Sequence, residues 1–445
     1  MFRTKWFFPA LVLAGGALRA LVPASAQSPA PSGSKPAPPG KRIAIRAGHL
    51  IDGKSDRVLD NVLLLIDGDS IVSVTPGGSP PPGVEAIDLS RSTVLPGFID
   101  LHTHVLLNGD ITPADYDQQL LKESIPYRAI LAARNARIAL DHGFTTLRDL
   151  ETEGAMYADV DVKQAIANGE VPGPRMQVAT RAMTPTGMYP LLGYSWELKV
   201  PKGVQEVDGA EGGRQAVREQ ISNGVDWIKV YSDRGYYLRS DGVLDDIPTF
   251  TLDELKAIVD ETHRERHKIA SHAMALNGVH NSVEAGVDSI EHGNYIADAD
   301  LKTMVAKGTY YVPTLYVGEY VAQGRAAAGA KVWLDMIKIH EDTFRRAMKT
   351  GVKIAFGTDA GGFDWKINPA KEFPIMVKYG MTPAQALRSA NMTAAELLGM
   401  QDMIGSIQPG KYADIVAVPG DPMSDVQQLQ NVNFVMKGGT VYVRP

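Results

Sequence analysis

No cysteine occurs in the 445 residues of this chain. That excludes disulfides, thiolate metal ligands and a cysteine nucleophile, so any metal must be held by His, Asp, Glu or a lysine-derived oxygen. Such donors favour hard or borderline divalent ions, zinc first. Also missing are a Gly-x-x-x-x-Gly-Lys phosphate loop, a Gly-x-Ser-x-Gly nucleophile elbow, a basic run and a heptad stretch long enough for a coiled coil. A membrane span needs about 20 uninterrupted apolar residues. Pro9 and Arg19 break the N-terminal apolar stretch, and no stable span is expected. Positive charge is in deficit, with 45 cations against 51 acids and a net charge of −6. Nucleic acid is therefore not an expected partner.

Hydrophobic residues make up 44% of the chain, enough for one large domain and a smaller one. Residues 1–26 read as a secretory signal peptide: Arg3 and Lys5, then an apolar run, then Ala24-Ser25-Ala26 as a small-residue cleavage site. Cleavage after Ala26 removes Arg3, Lys5 and Arg19 but no acid, which leaves a mature net charge of −9. The mature protein is expected outside the cytoplasm, periplasmic or secreted. Residues 27–40, rich in Pro, Ser and Gly, are expected to form a disordered linker.

Residues 41–95 alternate β-rich runs with turns, at Ile43 to Arg46, Val62 to Asp69 and Ile71 to Val74, with Asp67-Gly68 as a hairpin signal. Residues 404–445 read alike, with runs at Ala413 to Val418, Asn433 to Met436 and Thr440 to Val443. Two separate hairpins would be marginal alone, so both termini are expected to build one small β-sandwich. Between them, residues 96–403 alternate strand-like and helical runs, with helices at Pro126 to His142, Gly212 to Asn223, Thr251 to His267, Trp333 to Thr350 and Thr382 to Met400. This α/β pattern predicts a (β/α)8 TIM barrel. Irregular stretches at Ala182 to Glu211, Ser232 to Phe250 and Gly361 to Phe373 follow predicted strands three, four and eight, where they would wall a pocket at the barrel mouth.

Asp100-Leu101-His102-Thr103-His104 closes the apolar run Val94 to Ile99. Residues i and i+2 of a strand share a face, so His102 and His104 can reach one metal ion together. Four further candidates each end a strand-like segment: Lys229 after Val225-Asp-Trp-Ile, His272 after Lys268-Ile-Ala-Ser, His292 after Val287-Asp-Ser-Ile-Glu, and Asp359 after Val352-Lys-Ile-Ala-Phe-Gly-Thr. On a barrel such positions converge at one mouth.

This set resembles the amidohydrolase superfamily, in its group with two divalent metals and a carboxylated lysine. The likeness extends to Gly143-Phe-Thr-Thr-Leu-Arg-Asp149, Phe356-Gly-Thr-Asp-Ala-Gly-Gly362 and Gly405-Ser-Ile-Gln-Pro-Gly-Lys-Tyr-Ala-Asp-Ile415. Asp226-Trp-Ile-Lys-Val-Tyr231 and Ala370-Lys-Glu-Phe-Pro374 are similar to the imidazolonepropionase-like branch that includes Xaa-Pro dipeptidases. The resemblance implies that His102, His104 and Asp359 hold a first metal and His272 and His292 a second. Lys229 would bridge them as a carbamate formed with CO2, since a plain ammonium has no lone pair and repels cations. A hydroxide bridging the metals is then the expected nucleophile, and Asp359 the expected general base that passes its proton to the leaving amine.

In similar dipeptidases a tyrosine two residues beyond the lysine binds the substrate's carboxylate, which points to Tyr231. Arg234, or Arg239 in the same loop, could add a bidentate contact. Ser232-Asp-Arg-Gly-Tyr-Tyr237 departs from the Xaa-Pro dipeptidase pattern, which leaves the leaving-group preference open. The remaining histidines, His49, His263, His267, His280 and His340, read as structural, and His142 as a helix C-terminal residue suited to the dipole. The expected protein is an exported, homo-oligomeric hydrolase of dipeptides or N-acyl amino acids. Alternatives are the same site acting on an aromatic amide such as a mycotoxin, a lactone or a phosphotriester, and a periplasmic metal-binding protein without catalysis.

Overall fold

The computed structural model describes residues 41–55, 57–189 and 194–445, and shows a mixed α/β fold. The expected leader (1–26) and linker (27–40) lie outside the described residues. Strands from both ends of the chain join one seven-stranded sheet, in the order Thr440–Val443, Phe434–Lys437, Ile415–Pro419, Glu85–Pro96, Arg42–Ile51, Val58–Asp67, Ser70–Pro76. It is a single hydrogen-bonded sheet, not the two expected of a sandwich. The Asp67-Gly68 hairpin forms, with Gly68 at φ 62° linking antiparallel strands. Inward residues such as Ile45, Leu64, Val94, Ile415 and Phe434 pack into a core of their own.

The strand Glu85–Pro96 carries the chain to the site. The sequence reading ran its end together with the following strand as Val94 to Ile99, whereas Gly97 separates Glu85–Pro96 from Phe98–Thr103. Gly97 donates its N–H to the Asp414 carbonyl at 2.9 Å, and a Cβ there would overlap the Thr145 side chain. Phe98–Thr103, Phe144–Asp149 and Arg175–Val178 then form a three-stranded parallel sheet. A second sheet holds the parallel strands Trp227–Tyr231, Lys268–Ala273, Ser289–His292 and Tyr310–Val312.

Between these sheets the connections are sparse: Asp226 N donates to Val178 O at 2.8 Å, and single bridges pair Tyr311 with Ile354 and Thr103 with Ala360. The described strands do not close into a continuous barrel. Val352 to Asp359, expected as a strand-like segment, is instead held one residue at a time, with Leu101 N on Phe356 O and Asp359 N on His102 O. Helices separate successive parallel strands, for example Ile125–Asp141, Gly209–Ser222 and Leu252–Arg264. The last opens on the expected capping box of Thr251 and Glu254.

Some expectations need correction. Ser232 to Phe250 is no irregular loop, since Asp233–Leu238 and Leu244–Pro248 pair as an antiparallel hairpin turning at Gly242 (φ 85°). Thr382 to Met400 is two short helices, Pro383–Ser389 and Met392–Leu398, because Asn391 turns its amide to the Gly97 carbonyl. Gly361 to Phe373 leads into the helix Glu372–Lys378, whose buried Glu372 accepts the N–H groups of Leu315 and Tyr316, each at 2.8 Å. The Ala370-Lys-Glu-Phe-Pro374 motif thus caps the helix Leu315–Ala327. No helix among the described residues is long and apolar enough to cross a membrane.

Candidate metal centre

All six predicted ligands line one cavity of about 270 Å³ at the ends of the parallel strands. His102 lies in Phe98–Thr103 with His104 just beyond it, Lys229 is the third residue of Trp227–Tyr231, and His272 and His292 sit at or beside the ends of theirs. His102, His104 and Asp359 offer ligand atoms within 4.8 Å of one another. The His104 Nε2 to Asp359 Oδ1 distance is 3.1 Å and that from His102 Nε2 is 3.7 Å. His292 and His272 follow, with ring centroids 4.8 Å from His102 to His292 and 4.6 Å from His292 to His272.

The backbone is strained where these groups are presented. Asp359 (φ 61°), His292 (φ 68°) and Thr314 (φ 49°) are non-glycine residues in the left-handed region, a cost of about 1–3 kcal/mol each. Gly361, at φ 109°, lets the chain pass against the His104 main chain, with no room for a Cβ.

Second partners fix how each imidazole is presented. His102 Nδ1 lies 2.8 Å from Glu291 Oε2, and Arg148 donates to Glu291 Oε1 at 2.8 Å and to Leu101 O at 2.6 Å. A proton on His102 Nδ1 leaves the Nε2 lone pair facing the cavity. His292 Nδ1 lies 2.7 Å from the Thr314 hydroxyl oxygen, which fixes the ring's orientation. His272 is turned the other way. Its Nε2 meets the Tyr236 hydroxyl at 2.9 Å, and Tyr236 donates its own hydrogen to Asp233 Oδ1 at 3.0 Å, so Nδ1 is the atom left bare.

Burial, then the charges of Lys229 and the neighbouring histidines, pushes His102, His272 and His292 well below the usual imidazole range, which keeps them neutral. Burial also lowers His104, but the Asp359 hydrogen bond and charge outweigh it and push it to about 9. Lys229 is 1% exposed. Among the described residues its Nζ makes no hydrogen bond or ion pair, and it lies 5.8 Å from the centroid of the Tyr231 ring. Burial lowers its pKa. Three imidazoles held neutral, a carboxylate beside His104 and a buried amine whose pKa burial lowers fit divalent metals and a carbamate bridge.

The Arg148–Glu291 pair is fully buried. Arg148→Met leaves Glu291 charged without its partner and is expected to cost about 3–5 kcal/mol of unfolding free energy. Urea titration checks this, and adding Glu291→Leu in the double variant should restore most of the loss.

The predicted substrate contacts fare differently. Tyr231 lines the cavity, but its hydroxyl donates to Glu151 Oε2 at 2.6 Å and lies 3.4 Å from Glu153 Oε1. Arg234 also lines it, on an exposed stretch of the hairpin, with Nε on the Met188 sulfur at 3.0 Å. Arg239 pairs with Asp241 and is absent from the lining. Glu151 and Glu153 were missed by sequence reading, although they follow the strand Phe144–Asp149 as His104 follows its own. With His104 they form a second group of possible ligands, and burial and the Glu153 charge push Glu151 well above the usual carboxylate range. His340, expected as structural, is buried in the helix Val332–Thr350, meets Asn294 at 3.2 Å and lines the cavity beside His292.

The arrangement gathers candidate metal ligands around one cavity. Residues 93–442 match the amidohydrolase family model, and the chain belongs to that family. It is 30% identical to the ochratoxinase of Aspergillus niger over 91% of this chain and 87% of the fungal protein. An imidazolonepropionase of Cutibacterium acnes is 26% identical over 82% of this chain and 88% of its own length. Among solved structures, a Xaa-Pro dipeptidase with methionine bound in its active site superposes with a TM-score of 0.81, at 36% identity over 90% of this chain and all of the other.

Proposed function

We propose that the chain is a binuclear metal-dependent amidohydrolase that cleaves the amide of dipeptides or N-acyl amino acids, its two parallel sheets being the halves of a (β/α)8 barrel and its outer sheet the remainder of a small terminal sandwich. Export with cleavage after Ala26 and homo-oligomeric assembly belong to the same proposal. The observation that carries it is Lys229, buried in the same cavity as His102, His272 and His292, its amine held by no hydrogen bond or ion pair among the described residues. His102, His104 and Asp359 would hold one ion, His272 and His292 the other, and a carbamate on Lys229 would bridge them, zinc being the favoured metal. Bound there, divalent ions supply Lewis acidity and lower the pKa of water.

The chain's own groups do the rest. Asp359, fixed by its N–H on His102 O at 2.7 Å, takes the proton of the attacking water as its oxygen adds to the substrate carbonyl carbon. As the carbon–nitrogen bond breaks, Asp359 returns that proton to the leaving nitrogen, so water is consumed and an acid and an amine are released. Leu107, Val317 and Val321 on the wall limit the water around the reacting bond. A second reading, an aromatic amide mycotoxin, draws on the likeness to ochratoxinase.

The test is a dipeptide library assayed by amine release, with zinc and bicarbonate supplied. Amine release from free dipeptides, with two zinc ions per chain, is the expected result. Two bound ions with no amide, lactone or phosphotriester turned over would leave the non-catalytic metal-binding reading standing.

A further inference from the structure

We propose that Arg325, seated over the Trp333 ring on the cavity wall, binds the carboxylate of the substrate's leaving amino acid. The inference rests on the dipeptide or N-acyl amino acid reading above and gives it a specificity residue that the sequence did not disclose. Arg325 lies in the last turn of the helix Leu315–Ala327 and lines the same cavity as the six candidate ligands. Its guanidinium carbon sits 4.2 Å from the Trp333 ring centroid, a cation–π contact that restrains the group and shields it in part from water.

One nitrogen is engaged. Nη2 donates to the Asp110 carbonyl at 3.0 Å, with the Asp110 carboxylate at a longer 3.5 Å. Nε and Nη1 make no hydrogen bond among the described residues, so donors remain for a planar carboxylate.

The other candidate cations and donors in the cavity are less suited. Tyr231 already gives its hydrogen to Glu151, and an anion placed there would face Glu151 and Glu153 together. Arg234 sits on the exposed hairpin, where solvent screens its charge. Lys229 is the bridging group of the proposed centre. A free amino acid released by hydrolysis carries the carboxylate next to the new amine, so one anchored guanidinium beside the centre can read substrate and product alike.

The experiment pairs a free dipeptide with its C-terminal amide, assayed on zinc-loaded full chain. For Arg325→Gln, the KM of the free dipeptide is expected to rise about 10- to 100-fold, as for a lost charged hydrogen bond, with little change in kcat or in the KM of the amide. Arg325→Lys should recover part of the loss, and Tyr231→Phe should move both substrates alike. Calorimetry with the free amino acid product gives a reading that needs no turnover: its affinity should fall by the same factor in Arg325→Gln, with zinc content unchanged. Equal KM changes for acid and amide, or unchanged product affinity, would overturn the role of Arg325. Absence of any amide turnover by the zinc-loaded wild type would instead overturn the amidohydrolase reading, so the two failures are distinct.

Discussion

Asp359→Asn is expected to keep both metal positions filled and to lose turnover by about 100- to 10,000-fold, the range for removal of a general acid–base group. The amide is nearly isosteric and still presents an oxygen toward His104, whose Nε2 is 3.1 Å from Asp359 Oδ1. It cannot accept a proton from water or return one to the leaving nitrogen. The fold should be indifferent, because asparagine tolerates the left-handed backbone at this position (φ 61°) better than most residues. Metal analysis beside steady-state kinetics checks the two halves separately. Wild-type rates in the loaded variant would refute the base assignment, and loss of metal would show that Asp359 acts mainly as a ligand.

The second large effect is expected at Lys229. Replacing it by alanine removes the group proposed to bridge the two halves of the centre and leaves a hole where a long side chain is 1% exposed. We expect metal content to fall from two ions per chain to one or fewer, and turnover to fall by at least about 100-fold, beyond what loss of an outer partner costs. Short carboxylic acids supplied in the buffer should restore part of both, since they can occupy the hole and offer two oxygens as a carbamate does. A variant with full zinc and wild-type rates would remove the bridge from the mechanism. Wild-type protein stripped of zinc and reloaded without bicarbonate should show slower recovery than with it.

Much of the centre was legible because its ligands obey one local rule, a polar residue at the end of an apolar run before a turn. His102, His104, Lys229, His272 and His292 all follow it, and all reach the same cavity. Asp359 follows it in sequence but not in backbone, since residues 354–360 are fixed by scattered hydrogen bonds rather than by a ladder. The hairpin Asp233–Leu238 with Leu244–Pro248 was hidden by its polar residues, some of which hold the histidine presentation: Tyr236 and Asp233 are examples. Arg325 could not be found at all. Its helix contains Gly318 and Gly324 and lacks a clean apolar stripe, so neither propensity nor period marks it, and its role depends on Trp333 from the next helix. The commitment of Tyr231 to Glu151 was equally invisible, because it joins residues 80 positions apart.

The strand Glu85–Pro96, which pairs with Ile415–Pro419 in the outer sheet, hands the chain across Gly97 straight into the strand bearing His102. The two ends of the polypeptide therefore act as a shared abutment for the catalytic floor. Anyone reshaping this enzyme can vary the exposed faces of the hairpin and of the Leu315–Ala327 helix, provided Asp233, Tyr236 and Arg325 stay in place, but inherits the terminal sheet as part of the foundation rather than as a removable annex.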